Sequence, residues 1–153
     1  MPINAIPFFP PSISLKPDDS MLVALKLMLE KQINHAPICD ATGFFLGLIS
    51  TNAILRALIP PSAKVEGGLP NLKFAGDGMG LLTTHLCNLE RLKVTEFAKK
   101  DMPVLRKDSP ILEATLQLAQ STAPLPVVGE DGNLLGLISR RALLAYLLAQ
   151  QTD

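Results

Sequence analysis

A chain of 153 residues that carries the same stretch twice has little freedom in what it folds into. Each copy must build the same unit, and the two copies must bury what one alone leaves bare. The stretch reads PICDATGFFLGLISTNAILRALI from Pro37 and PVVGEDGNLLGLISRRALLAYLL from Pro126. Without a gap, ten of 23 aligned positions are identical: the proline, the turn glycine, the LGLIS core, and an alanine and two leucines after it. The similarity runs back through an apolar helical stretch to LKPDDS (15–20) and LRKDS (105–109), with a one-residue adjustment on each side of the helix.

The elements of each unit follow from local chemistry. Ser109 is a good N-cap and Pro110 suits a first helical position, where its missing N–H costs nothing. Ile111, Ala114, Thr115 and Leu118 then recur at helical spacing, as do Leu22, Leu25 and Leu29 in the first unit. Strands are expected at Leu125 to Val128 and Leu134 to Ile138, joined by a tight Asp131-Gly132 turn. Their counterparts are Ala36 to Cys39, a turn at Thr42-Gly43, and Phe45 to Ile49. Ser50 and Ser139 stand as N-caps of closing helices over 51–59 and 140–149. With apolar openings at Ile13 to Leu15 and Val104 to Leu105, each unit reads strand, helix, strand, strand, helix. The fold class is α/β (α+β): two β-α-β-β-α units, 1–60 and 94–153, paired so that the bare faces of their sheets cover each other, with 61–93 between them.

Composition narrows the function. Lys plus Arg and Asp plus Glu both number 14, and residues 1–60 hold four of each sign, so no cluster exists to neutralise phosphates and nucleic acid is not an expected partner. The longest apolar run, Ala142 to Ala149, has eight residues, against the roughly 18 that a membrane span takes. The opening MPINAIPFFPP has no basic stretch and is broken by prolines, unlike a secretory signal. Cys39 and Cys87 form no metal or redox spacing. A reduced, cytoplasmic protein is expected.

The order of elements, the proline-led strands APICD and LPVVG, and the segments Gly47-Leu48-Ile49-Ser50-Thr51-Asn52-Ala53 and Gly136-Leu137-Ile138-Ser139-Arg140-Arg141-Ala142 resemble a tandem pair of CBS (cystathionine β-synthase type) domains. The resemblance covers almost the whole chain except 60–93. It implies a regulatory, ligand-sensing module whose paired units enclose two clefts for adenosine-type ligands: AMP, ATP, NAD or S-adenosylmethionine. In the family the serine or threonine caps a helix whose free N–H groups and dipole face ribose and phosphates. An aspartate three residues on accepts from the ribose hydroxyls. Both units here have alanine at that place, Ala53 and Ala142. A methyl accepts nothing, and a hydrogen bond to a charged acceptor is worth about 1.5–3 kcal/mol.

Carried over residue by residue, one cleft uses Ser50 for ribose, adenine beside Thr122, Ala123 and Pro124, Thr95 nearby, and His35 at a phosphate position. The other uses Ser139, with adenine near Ile33, Asn34 and His35; its phosphate charge must come from Arg140 or Arg141. The resemblance leaves slight preference for the first. The residues themselves leave a plain alternative open: the serines are needed as caps without a ligand, and the arginines are equally at home in water. A ligand-free dimerisation or interaction scaffold is therefore the second reading.

No nucleophile with a nearby histidine, paired carboxylates or metal spacing supports catalysis, so no turnover, no required cofactor and no metal are expected. In the connection, Pro60-Pro61, Gly67-Gly68 and the Gly76–Gly80 run read as a flexible loop, and Leu82, Leu86 and Leu89 as a helix face packing on the first unit or across a dimer contact. The closing helix, apolar all round from Ala142 to Leu148, needs cover on more than one side, which predicts a homodimer, with an unidentified regulated protein as further partner.

Overall fold

In the computed structural model, residues 13–59 and 78–151 are described. The elements in order are α1 (Met21–Lys31), β1 (His35–Cys39), β2 (Phe45–Ser50), α2 (Thr51–Leu58), α3 (Gly78–Asn88), α4 (Ile111–Ala119), β3 (Leu125–Val128), β4 (Leu134–Ile138) and α5 (Arg140–Gln150). Short 3₁₀ turns at Leu89–Arg91 and Val94–Glu96 follow α3. The chain forms two compact units that interleave along the sequence: the described residues up to Lys16, Pro37–Leu48 and those from Lys99 on make the first, and those of Pro17–Ala36 and Ile49–Ala98 the second.

The first unit holds most of both hairpins. Identical turn bonds close them: Gly43 N–H donates to the Asp40 carbonyl and Asp40 N–H to Phe44, as Gly132 donates to Gly129 and Gly129 to Asn133. Both turn glycines take positive φ, +94° and +85°, a conformation a side chain resists. In β3–β4 the register pairs Leu125 with Ile138 and Val127 with Gly136. The expected opening strands shrink to single parallel bridges, Leu15 to Ile38 and Leu105 to Val127. Each bridge has both of its bonds: Leu15 N–H to Pro37 and Cys39 N–H to Leu15, matched by Leu105 to Pro126 and Val128 to Leu105, all at 2.8–2.9 Å.

The two repeats meet inside this unit. Phe45 N–H donates to the Gly132 carbonyl at 3.1 Å and Leu134 N–H to Gly43 at 3.0 Å, a reciprocal exchange between equivalent positions. Beneath it, Cys39 and Leu48 of one repeat are buried with Ala123, Leu134 and Leu137 of the other, as expected for sheet faces that cover each other. Leu48 also exchanges both backbone bonds with Lys99, just ahead of the second repeat. A second cluster, Leu105, Ala114, Leu118, Leu125, Val127, Ile138 and Leu143, seats α4 and α5 on β3 and β4. Burial raises the Cys39 thiol pKa, and neighbouring Asp40 adds to the effect.

In the second unit, α1 starts at Ser20, whose Oγ accepts from Val23 N–H at 3.1 Å. It ends at Gln32 in the left-handed conformation, φ 57°. The segment ahead of repeat two is tied to this helix start: Met21 N–H donates to Leu92 and Val94 N–H to Asp19. Fully buried Leu89 and Val94 anchor it.

Three expectations are corrected. The buried face of α1 is Met21, Ala24 and Met28, not the expected stripe of Leu22, Leu25 and Leu29, of which Leu29 is exposed. Helix α4 starts at Ile111, with Pro110 at the cap position and no side-chain cap bond. Ser109 does not cap it, because its Oγ accepts from Arg106 N–H at 2.9 Å and closes the preceding turn. The loop expected at Gly76–Gly80 is helical from Gly78 on. The hydroxyls of Thr83 and Thr84 donate to the Met79 and Gly80 carbonyls, and α3 packs on α2, which together hold a glycine-containing first turn. Pro60-Pro61, Gly67-Gly68 and Gly76-Asp77 lie outside the described residues.

Candidate functional site

The strand-to-helix corners that follow the two GLIS segments are built alike. Ser50 leaves β2 in extended conformation and its Oγ accepts from Ala53 N–H at 3.0 Å. Ser139 leaves β4 in the same way and accepts from Ala142 N–H at 3.1 Å. Each serine satisfies one of the free amides of a helix start, where the dipole has its positive end, and at the first corner the Thr51 amide is taken as well. Both caps stand as the sequence predicts.

Around the caps the repeats part. In the second unit, Thr51 N–H donates to the Asn34 carbonyl at 2.9 Å, and the Thr51 hydroxyl reaches Asn34 Oδ1 at 3.4 Å. Ser50 is thus brought beside the Ile33–Asn34–His35 segment of its own repeat, with His35 half-buried. Thr95, also half-buried, lies in the Val94–Glu96 turn of the same unit. In the first unit, the Arg140 guanidinium donates to the Ser121 carbonyl. The Ser121 hydroxyl in turn donates to the Ala123 carbonyl and accepts from Ala123 N–H, both at 3.0 Å. Ser139 and Arg140 are thereby joined to the Thr122–Ala123–Pro124 segment, in which Thr122 is exposed, Ala123 buried and Pro124 half-buried. Arg141 is exposed.

Neither corner has a carboxylate three residues after its serine, where Ala53 and Ala142 stand. Ala53 is buried at 4% exposure, whereas Ala142 is half-buried. Sequence reasoning missed Ser121, the acceptor that fixes Arg140; its signal is a position just ahead of a segment already singled out. Among the described residues no group of three or more metal-ligating side chains gathers. Two hollows lie elsewhere, at the turns: about 580 Å³ around Arg106, Lys107 and Gly129, and about 330 Å³ between Phe44 and Arg106. None of the expected ligand residues lines either hollow.

The sequence pattern of the CBS domain matches residues 8–60 and 94–149, one match on each repeat. The chain belongs to the CBS domain family. As a CBS-domain chain it is 25% identical over 140 residues to an uncharacterized protein of Methanocaldococcus jannaschii, covering 86% of this chain and 83% of that one. It is 29% identical over 147 residues to the 5'-AMP-activated protein kinase subunit gamma-3 of Sus scrofa, covering 94% of this chain and 25% of that subunit. The chain therefore spans a quarter of that subunit's length. Among solved structures, the CBS-pair protein CBSX2 of Arabidopsis thaliana superposes with a TM-score of 0.78 over 99% of this chain and 97% of that one, at 21% identity. A structure of CBSX2 in complex with AMP superposes at 0.69 over 98% of both chains, also at 21% identity. The CBS-pair fold is thus established. No described helix is long and apolar enough to cross a membrane.

Proposed function

We propose that this chain is a regulatory module of two CBS units, 1–60 and 94–153, that senses an adenosine-type nucleotide and acts on another protein without turning over a substrate. The observation that carries the reading is the duplicated corner: a serine-capped helix start directly after a Gly-Leu-Ile-Ser strand end, at Ser50 and again at Ser139. Such a start offers free N–H groups and a positive dipole end to ribose and phosphate oxygens. The AMP complex of the structural neighbour CBSX2 and the likeness to an AMP-activated kinase subunit favour an adenine nucleotide over other anions.

Ser50 is the first choice for the ribose end, with His35 in the same unit for phosphate and Thr95 nearby. At the second corner Arg140 is engaged by Ser121, which leaves Arg141 as the exposed cation for an anion. AMP, ATP, NAD and S-adenosylmethionine are the ligand candidates, none of them required for folding. The module works as a homodimer in the cytoplasm.

A thermal-shift screen with these four ligands tests the proposal. Binding to the folded state alone at a hundredfold excess over Kd adds about 2.7 kcal/mol. For a domain of this size that raises Tm by roughly 5–11 °C. A rise with at least one adenine nucleotide and none with inorganic phosphate alone supports the sensor. No shift with any ligand leaves the ligand-free scaffold as the better reading.

A further inference from the structure

The two hollows at the hairpin turns lie wholly within the first unit and adjoin, sharing Arg106, Val128 and Glu130. About 580 Å³ opens on the side of Lys107 and Asp108, and about 330 Å³ on the side of Phe44 and Val104. A difference between the repeats leaves room there. Repeat one has the side chain of Asp40 at this point of its turn, whereas repeat two has Gly129, where a Cβ would already stand 3.1 Å from Asp131 Oδ1. Arg106 is held at both ends: its amide by Ser109 Oγ, its guanidinium by the Gly129 carbonyl to which it donates. That contact leaves most of the five donors of the planar fork unused. Among the described residues nothing else takes them, and the Glu130 carboxylate has no partner. On the other side, Phe44 and Val104 are 44% and 40% exposed. The Phe44 ring lies against Gly132, whose Cβ would fall 2.3 Å from Cε2, so its place is fixed.

We propose that this groove binds a free amino acid with an apolar side chain, its carboxylate on Arg106, its ammonium on Glu130 and its side chain against Phe44 and Val104. The site goes beyond the nucleotide reading and does not rest on it. Charge selects the class of ligand. An anchored arginine fork suits a planar carboxylate, which it can meet with two parallel bonds. A ligand that is only anionic would face Glu130 and Asp131, and one that is only cationic would face Arg106 and Lys107. An amino acid, with both charges on one carbon, answers both signs at once. Lys107 and Asp108, adjacent and opposite in sign, add no net charge, while Asp131, tied to the Asn133 amide, adds to the pull on an ammonium. The exposed ring and valine then favour an aliphatic or aromatic side chain over a polar one.

Calorimetric titration of the full chain with leucine, methionine and phenylalanine tests the site. Leucinamide, which lacks the carboxylate, N-acetylleucine, which lacks the ammonium, and AMP are run beside them. The expected result is saturable binding of at least one of the three amino acids. Both leucine analogues should bind roughly tenfold or more weakly than leucine, because each leaves one charged partner unanswered. Arg106→Gln and Glu130→Gln, each first shown to melt like the parent, should weaken amino-acid binding by a similar factor and leave the AMP titration as in the parent. Should Arg106→Gln melt differently, Glu130→Gln, at an exposed turn position, decides alone. Absence of saturable heat with all three amino acids overturns the site, as does equal binding of either analogue. Amino-acid binding unchanged by Glu130→Gln overturns it too. A parallel loss of AMP binding in that variant would put both ligands in one place and likewise overturn it, whereas a parent that binds an amino acid but no nucleotide leaves this site standing and removes only the nucleotide reading.

Discussion

Repeat one shapes its hairpin turn with Asp40, whose Oδ1 accepts from the amides of Thr42 and Phe44 and from the Thr42 hydroxyl. Repeat two has Gly129 at that place and shapes the same turn from two residues on, where Asp131 Oδ1 accepts from Asn133 N–H. The backbone is the same because the glycine at positive φ and the strand pairing dictate it; the acid need only be within reach of an amide. At the closing corners the opposite holds. Ser50 and Ser139 occupy equivalent positions, while the next residue turns from a threonine bound to Asn34 into an arginine bound to the Ser121 carbonyl. Fold-forming positions are thus retained between the repeats, while the residue after each cap and its partner have diverged.

The cores of the repeats should be equivalent, and the largest expected effects test that. Met28 and Leu118 occupy matching helix positions and are each 1% exposed. Met28→Ala and Leu118→Ala should each cost about 2–5 kcal/mol in urea unfolding, as a cavity in a packed core does. Leu116→Ala, on the same helix as Leu118 but 56% exposed, should stay within about 0.5 kcal/mol. A large cost in only one repeat would break the equivalence.

The turns should not be equivalent. A Cβ on Gly132 would lie 2.3 Å from Cε2 of Phe44, whereas one on Gly43 meets nothing closer than Asn133 at 3.7 Å. Gly43→Ala then carries a left-handed backbone cost of about 1–2 kcal/mol. Gly132→Ala adds displacement of the ring, for about 2–4 kcal/mol in all. In a Phe44→Ala background the extra cost of Gly132→Ala should disappear; if it persists, the ring is not its cause.

Smaller effects probe the caps. Ser50→Ala and Ser139→Ala should each lower stability by about 1 kcal/mol, measured as a shift in urea midpoint at constant slope. Ser109→Ala leaves the Arg106 amide without its acceptor rather than uncapping α4, so its loss should be recovered by no change at Pro110. The smallest effect is acidic. The Thr42 hydroxyl holds the Asp40 pKa below its ordinary value of 3.8; desolvation opposes it, and the amides of Phe44, Thr42 and Gly43 add to the lowering. A depressed carboxylate contributes stability that is present above its unfolded pKa and lost as pH falls through the folded one. Asp40→Asn should therefore lower stability slightly at neutral pH and flatten the acid side of the profile, the two profiles converging as pH falls below about 4. An unchanged acid limb would contradict that assignment.

The duplicated segment made most of this fold legible. Turn glycines, strand runs and the serine caps at 50 and 139 depend on local chemistry, and each was present twice in the same register. What stayed hidden depends on partners far along the chain. The opening strands are single bridges because only Leu15 and Leu105 reach the proline-led strands. Ser109 looks like a cap in isolation, but its hydroxyl accepts from the Arg106 amide instead. The glycines at 78 and 80 signal a loop until α2 supplies a surface for α3. At the site, the serines could be named, whereas the hold of Ser121 on Arg140 needs a fold that brings residues 19 apart together.

The same divergence decides how a ligand would be held. Ala142 is half-buried and Ala53 almost fully buried, so a carboxylate at 142 has water beside it, while one at 53 must displace packing or be met by a hydroxyl. The most direct test is calorimetric titration of AMP into the parent chain and into Ala53→Asp and Ala142→Asp, each first shown to melt like the parent. The sensor account expects saturable binding by the parent and at least severalfold tighter binding by one of the two acidic variants, since a charged acceptor is worth about 1.5–3 kcal/mol. No saturable heat from the parent or either variant at millimolar AMP, ATP, NAD or S-adenosylmethionine would contradict it.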